Sequence, residues 1–198
     1  NYTIEEDGAT IFVEVHERWY FFPFPVLGFK YRDTDKFFYG AGVAHQNFRG
    51  RNEKLFASFA LGFDRWVELM YQNPKLTDDE DVFFRGSIGL HDVHNLNTDD
   101  GLYNQTRFAA NTTFGKRFGL YQTVLGSVGF EQWDIDDPLQ HRTVSSAGKD
   151  EFISFGLSYS YDSRDIREYS NSGYSLTLSA SKLGIGTSEL NIFRYGYD

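Results

Sequence analysis

The segment that decides the fold reads F-I-S-F-G-L-S-Y-S-Y (152–161), D-S-R-D-I-R-E-Y-S-N-S-G (162–173) and Y-S-L-T-L-S-A-S-K-L (174–183). In its first and last parts, an aromatic or aliphatic residue alternates with a small residue, usually serine. A period of two places alternate side chains on opposite faces of a β-strand. One face is apolar, and the other carries small polar side chains with little charge. This pattern, over about ten residues per segment, is typical of a transmembrane β-barrel.

The composition fits the same class. Aromatic residues make up 18% of the chain, with 20 Phe and 13 Tyr, which suits a lipid-facing band with aromatic girdles. No apolar run reaches about 18 residues, so the sequence excludes a transmembrane helix. There is no cysteine, which excludes disulfides and a Cys-based zinc site. The net charge of −9 argues against a nucleic-acid partner.

The rest of the chain reads as an antiparallel meander with turn residues between the strands. Pro23 and Pro25 predict a break between elements, because proline cannot donate to a ladder. We therefore expect a soluble strand at 9–17, a hinge across an aromatic interface, and then the barrel. Two open edges in lipid would be costly, so we also expect further strands beyond these ten. The predicted barrel strands are 26–32, 37–46, 54–63, 65–72, 82–93, 103–114, 120–133, 152–161, 174–183 and 189–197.

Three motifs carry a resemblance to a known family. The first is Tyr161-Asp162-Ser163-Arg164-Asp165, followed by Ser172-Gly173-Tyr174. The second is A-G-V-A-H-Q-N-F-R-G at 41–50, and the third is V-E-V at 13–15 with E-R-W at 17–19. In this order, they resemble BamA-like assembly factors of the bacterial surface-antigen superfamily. The resemblance implies a sixteen-stranded outer-membrane barrel that follows periplasmic POTRA domains.

On this resemblance, residues 1–22 are the end of the last POTRA-like domain with its hinge, and residues 23–198 are the amino-terminal part of the barrel. The implied function is insertion of β-barrel proteins into the bacterial outer membrane, or translocation across it, through a seam at the first barrel strand. We expect glycine at position 28 to weaken packing there and to suit a labile edge. The gate-edge strand comprises Val26, Leu27, Gly28, Phe29, Lys30, Tyr31 and Arg32, and the family turn comprises Tyr161, Asp162, Ser163, Arg164, Asp165, Gly173 and Tyr174.

The implied partners are outer-membrane lipid and lipopolysaccharide, unfolded outer-membrane protein substrates and accessory lipoproteins. No catalytic residue, cofactor or nucleic acid is expected. The resemblance does not separate an assembly factor from relatives that secrete adhesins or assist autotransporters.

Two other classes stay open from the residues alone. A passive porin-like channel needs the same strands without the POTRA-like lead, and a soluble lipid-binding β-barrel needs aromatic side chains inside and charges outside. His91 and His94 are three apart, so a strand places them on opposite faces and disfavours a shared metal ion. The charged residues at 162–167 are interpreted as a structural network or turn rather than a catalytic cluster, because no nucleophile and base converge there.

Overall fold

The computed structural model describes residues 2–5, 8–11, 16, 18–77, 81–95, 101, 103–137, 142–166, 169–186 and 190–198. A short antiparallel hairpin comes first, formed by β1 (Tyr2–Glu5) and β2 (Gly8–Ile11). The strand predicted at 9–17 overlaps β2, and its residues 12–15 and 17 lie outside the described part of the chain. Within the described residues, no helix combines the length and apolar character needed to cross a membrane.

The main body is one ten-stranded sheet in which every strand pairs with its neighbours in sequence, and all pairs are antiparallel. This confirms the all-β class and the ten-strand meander. The strands are β3 (Phe21–Phe29), β4 (Phe37–Phe48), β5 (Glu53–Gly62), β6 (Arg65–Asn73), β7 (Val82–Asn95), β8 (Tyr103–Phe118), β9 (Gln122–Ile135), β10 (Lys149–Asp162), β11 (Ser175–Ile185) and β12 (Ile192–Tyr197).

Because the strands alternate in direction, their connections fall at two ends of the sheet. We call the end at which β3 begins the proximal end, and it carries the β4–β5, β6–β7, β8–β9 and β10–β11 connections. The opposite, distal end carries the β3–β4, β5–β6, β7–β8, β9–β10 and β11–β12 connections.

The two faces of the sheet differ in both chemistry and exposure. Along β4 and β10, the apolar residues of the period-two pattern are the more exposed ones, and the small or polar residues between them are less accessible. Leu27, Val67 and Leu157 are 66%, 53% and 54% exposed. The same apolar face continues across the sheet through Tyr39, Phe59, Leu69, Ile88, Leu90, Phe114, Val128, Phe155 and Leu178.

The sheet has almost no buried apolar residue of its own. Among the described residues, only Ala60 and Ile135 are both apolar and buried, whereas the buried polar residues are Glu53, Ser58, Asp64 and Asn73. A water-soluble domain buries its large apolar side chains, and exposing a face of this size to water costs about 25 cal/mol for each Å². The apolar face therefore requires an apolar surrounding such as lipid.

The structure corrects the predicted first barrel strand. β3 begins at Phe21, so it contains both prolines instead of following them, and it ends at Phe29. Pro23 lies opposite Val43 and Pro25 lies opposite Ala41, so no break separates the proline segment from the sheet. The last three predicted strand residues form a 3-10 turn instead, at Lys30, Tyr31 and Arg32.

Aromatic rings cover glycines on the neighbouring strand. A Cβ added to Gly28 would lie 2.3 Å from the Phe38 ring, and one added to Gly42 would lie 2.2 Å from the Phe24 ring. Each ring belongs to the residue directly opposite the glycine, so the ring takes the space that a side chain would fill. The expectation that Gly28 weakens packing is therefore wrong, because Phe38 fills the gap.

Candidate functional site

The first barrel strand lies at one edge of the sheet. β3 pairs with β4 along its length, and no described strand pairs with its other side. Of the predicted gate-edge residues, Val26, Leu27, Gly28 and Phe29 lie on this edge. A free edge presents unpaired N–H and C=O groups, so β3 can accept another strand.

The remaining gate-edge residues turn the chain at the distal end. Tyr31 and Arg32 have φ angles of 53° and 59°, which are left-handed conformations that close a tight turn. Lys30 reaches the β5–β6 connection, where its Nζ lies 2.9 Å from Oδ2 of the buried Asp64. Lys30 also donates to the backbone carbonyl of His94 on β7.

Asp64 therefore joins three segments at the distal end. Its Oδ1 accepts the backbone N–H of His94 at 3.0 Å as well as a hydrogen bond from Lys30. The His94 ring lies 4.2 Å from the ring of Phe63, centroid to centroid. We call Lys30, Phe63, Asp64 and His94 the distal anchor, because they fix the end of β3 to the β5–β6 connection and to β7. The sequence prediction missed this anchor.

The family turn is compact and connects β10 to β11 at the proximal end. Arg164 donates twice to the carboxylate of Asp162, through Nε at 2.8 Å and Nη2 at 2.9 Å. Ser163 and Tyr174 exchange hydrogen bonds: the Ser163 N–H donates to the Tyr174 carbonyl at 3.0 Å, and the Tyr174 N–H donates to Ser163 Oγ at 3.2 Å. The Tyr161 and Tyr174 rings stack with centroids 5.1 Å apart.

Asp165 closes the turn through its backbone contacts. Its Oδ1 accepts the N–H groups of Ile166 at 2.9 Å, Asn171 at 3.0 Å and Ser172 at 3.3 Å. Gly173 has a φ of +88°, and a Cβ there would lie 2.2 Å from the carbonyl oxygen of Ser163. The structure thus brings all seven predicted turn residues together as a structural turn. Arg167, which was grouped with them, lies outside the described residues.

The Asp165 hydrogen bonds predict an acid-sensitive turn. The N–H groups of Ile166 and Ser172 hold the pKa of the Asp165 carboxyl below its ordinary value of about 3.9. The carboxylate therefore stabilises the turn fully above the unfolded-state pKa, and this stabilisation is lost as the pH falls through the lower folded-state value. We therefore expect the protection of the Ile166, Asn171 and Ser172 amides, which is the exchange rate compared with the intrinsic rate at the same pH, to fall in that acid range.

The matched variant for this prediction is Asp165→Asn, whose amide oxygen can accept the same N–H groups but does not titrate. Its protection at the three amides should be lower at neutral pH, and it should not fall further on acidification. Equal acid dependence in the two proteins would contradict the assignment.

The second family motif forms the β4–β5 turn. The Oδ1 of Asn47 accepts the N–H of Asn52 at 2.6 Å, and Gly50 has a φ of +70°. The carboxylate of the buried Glu53 accepts from Arg49 Nη2 at 2.7 Å and from its Nε at 2.9 Å. The turn residues of the motif thus have a structural role at the proximal end.

A polar network on the less accessible face was also missed from the sequence. Arg107 Nη2 donates to Glu131 Oε2 at 2.7 Å, and Trp133 Nε1 donates to the same oxygen at 3.0 Å. The guanidinium of Arg107 lies 4.9 Å from the centre of the Trp133 ring. Arg107 is opposite Trp133 in the β8–β9 register, so a sequence reading that had assigned register could have found the group.

His91 and His94, the two histidines considered as metal ligands, contact different carboxylates. His91 Nε2 is 3.2 Å from Glu68 Oε1, whereas His94 belongs to the distal anchor. Among the described residues, no group of three or more His, Cys, Asp or Glu side chains is placed to hold a metal ion.

The meander, the exposed apolar face and the small polar residues on the opposite face define the wall of a transmembrane β-barrel. Comparison with protein families agrees: residues 47–198 match the Omp85 superfamily domain, and the chain belongs to the Omp85 superfamily. The soluble lipid-binding alternative is wrong, because the apolar side chains lie on the more exposed face. The chain is an outer-membrane β-barrel component, in agreement with the sequence prediction.

Among solved structures, the chain is similar to BamA from Haemophilus ducreyi lacking POTRA domains 1–3, with a TM-score of 0.57 and 16% sequence identity. The match covers 89% of this chain and 36% of that chain, so the chain spans about a third of the length of BamA in that structure. A comparison with curated proteins finds no match. The superfamily consists of non-enzymatic assembly factors and transporters, which confirms the expectation of a non-enzyme.

Proposed function

We propose that this chain is the amino-terminal part of a barrel that inserts β-barrel proteins into the outer membrane through a lateral seam at β3. The observations that carry the proposal are the match to the Omp85 superfamily and the place of β3 as the first strand of the described sheet, with its odd-numbered backbone groups directed away from β4. Backbone groups that are unpaired in a bilayer cost several kcal/mol each, by order of magnitude. An incoming strand of an unfolded substrate satisfies them by β-augmentation, and this activity needs no catalytic residue.

The proposed architecture extends beyond the described sheet. The segment before β3 belongs to the end of a POTRA-like periplasmic domain with its hinge, and the residues from Phe21 onward provide about ten strands of a sixteen-stranded barrel. The likeness to the barrel of BamA, a protein described with POTRA domains, supports this layout. Phe21 and Phe22 pair with His45 and Ala44 of β4, which supports a boundary before β3 rather than after residue 22. Partners of the whole protein are outer-membrane lipid and lipopolysaccharide, unfolded barrel substrates and accessory lipoproteins.

The test is a folding assay with the full-length protein in lipid vesicles. An unfolded outer-membrane barrel is added, and its folding is followed by its heat-modifiable mobility on gels. The proposal predicts faster folding of the substrate with the protein than with empty vesicles. The porin-like alternative predicts permeability to small solutes with no change in substrate folding, and that result would contradict the proposal.

A further inference from the structure

The free edge of β3 differs from an ordinary strand edge in its hydrogen-bond donors. In an antiparallel pair, successive residues of a strand direct their N–H and C=O groups alternately toward one neighbour and toward the other. The carbonyl of Tyr20 accepts the N–H of Gln46 at 2.8 Å, so the even-numbered residues of β3 bond to β4. On the next strand, the carbonyl of Phe37 accepts the N–H of Phe63 at 2.9 Å, so the odd-numbered residues of β4 bond to β5.

These two observations give the same alternation and fix the groups that face the free edge. The backbone N–H and C=O groups that face the free edge are those of Phe21, Pro23, Pro25, Leu27 and Phe29. Proline has no N–H, so two consecutive donors are missing from this row. The carbonyls remain, and that of Phe21 already accepts a hydrogen bond from the Trp19 indole N–H. Two consecutive residues of this row keep their N–H donors. They are Leu27 and Phe29, in the distal half of the strand.

The same alternation of backbone groups explains why β3 can contain two prolines. Because Pro23 and Pro25 face away from β4, the β3–β4 ladder loses no hydrogen bond. Proline also restricts the residue before it to extended conformations, so Phe22 and Phe24 are held in strand geometry. The proline segment is therefore a stiff strand whose outer edge accepts hydrogen bonds but does not donate them.

A strand that pairs antiparallel along the whole edge would place two of its own carbonyls opposite the prolines. Those carbonyls would find no donor on β3, and in lipid no water replaces it. Pairing over Val26–Phe29 avoids this loss, since Leu27 and Phe29 both donate and accept there.

We propose that β3 is a two-part edge, in which a strand of an unfolded outer-membrane protein pairs with residues 26–29 and is stopped by segment 22–25, which offers no donor to the free edge. The inference rests on the proposed function and specifies where on β3 the substrate binds. Short pairing at the distal half sets the register of the incoming strand. It also limits the number of hydrogen bonds that must break when the substrate leaves.

The test compares disulfide cross-linking at two odd-numbered positions of β3. Phe21 and Phe29 are 46% and 53% exposed, and both backbones face the free edge. The variants Phe21→Cys and Phe29→Cys are made in the full-length protein in vesicles, and an unfolded barrel with a single cysteine in its carboxy-terminal strand is added. We expect roughly tenfold more disulfide cross-linking at position 29 than at position 21, from the loss of one to two net hydrogen bonds. With Pro23→Val and Pro25→Val together, cross-linking at position 21 should rise to within about twofold of position 29.

A neighbouring pair of proline substitutions provides the matched control. Leu27→Pro removes a donor from the free edge, so it should lower cross-linking at position 29 roughly tenfold and leave the heat-modifiable fold unchanged. Val26→Pro removes a donor that faces β4, so it should weaken the fold of the edge itself.

Each contrary outcome has a separate meaning. Equal cross-linking at positions 21 and 29 in the wild-type background, or no effect of Leu27→Pro, would overturn the two-part edge. Disulfide formation between two copies of the protein, without cross-linking to the substrate, would overturn the choice of the substrate as the occupant. Failure of the unmodified protein to accelerate substrate folding would instead count against the proposed function.

Discussion

Gly173→Ala should unfold the β10–β11 turn and lower the free energy of unfolding by about 3 kcal/mol. The left-handed φ of +88° costs an alanine about 1–2 kcal/mol. The added Cβ would also lie 2.2 Å from the Ser163 carbonyl oxygen and 2.9 Å from the Arg164 Cα, so the backbone must shift. That shift would break the hydrogen bond from the Asp165 N–H to the Ser172 carbonyl, which is 3.2 Å long, at a further cost of about 1 kcal/mol.

The measurement is denaturant unfolding of the full-length protein in vesicles, followed by tryptophan fluorescence. Gly119→Ala is the matched control: Gly119 also lies in a proximal turn with a positive φ of +60°, but a Cβ there meets no atom within 4 Å. The control should show only the conformational cost of about 1–2 kcal/mol. Equal losses in the two variants would mean that the Ser163 contact does not constrain the turn.

The sequence predicts the class of fold well because the period-two pattern is a direct consequence of strand geometry. Serine and glycine alternate with aromatic and aliphatic residues over 152–161, and the structure places these two sets on opposite faces of β10. The predicted ends of the strands are less accurate. β10 begins at Lys149, within the predicted loop, because its first residues pair with Trp133 and Asp134 of β9. Cross-strand pairing of this kind extends a strand into a polar segment that has no alternation of its own.

The free edge illustrates a different limit of the sequence. Two prolines ordinarily indicate the end of a strand, and that rule placed the start of the first barrel strand after Pro25. Whether a proline is tolerated depends on the direction of its missing N–H, which only the pairing register reveals. The distal anchor was missed for a related reason: Lys30, Asp64 and His94 are far apart in the sequence, and the meander brings them together at one end.

Asp64→Ala should lower the free energy of unfolding by about 3 kcal/mol. The Asp64 and Lys30 side chains are only 11% and 20% exposed, so water screens their ion pair poorly. Removal of the carboxylate leaves the Lys30 ammonium and the backbone N–H of His94 without this acceptor, and unpaired buried polar groups are costly. Denaturant unfolding of the full-length protein in vesicles measures this decrease in the free energy of unfolding.

Two further variants separate the charge from the contacts. Asp64→Asn keeps an acceptor for the His94 N–H but loses the ion pair, so its loss should be smaller than that of Asp64→Ala. Lys36→Met breaks the more exposed pair between Lys36 and Asp33, which are 2.7 Å apart, and should have little effect. If Asp64→Ala lowered the free energy of unfolding as little as Lys36→Met, the distal anchor would not stabilise the end of β3. Lys30 directly follows Phe29, and Leu27 and Phe29 are the residues whose N–H groups are proposed to pair with substrate. The distal anchor therefore fixes the position of the segment at which we propose that substrate strands pair.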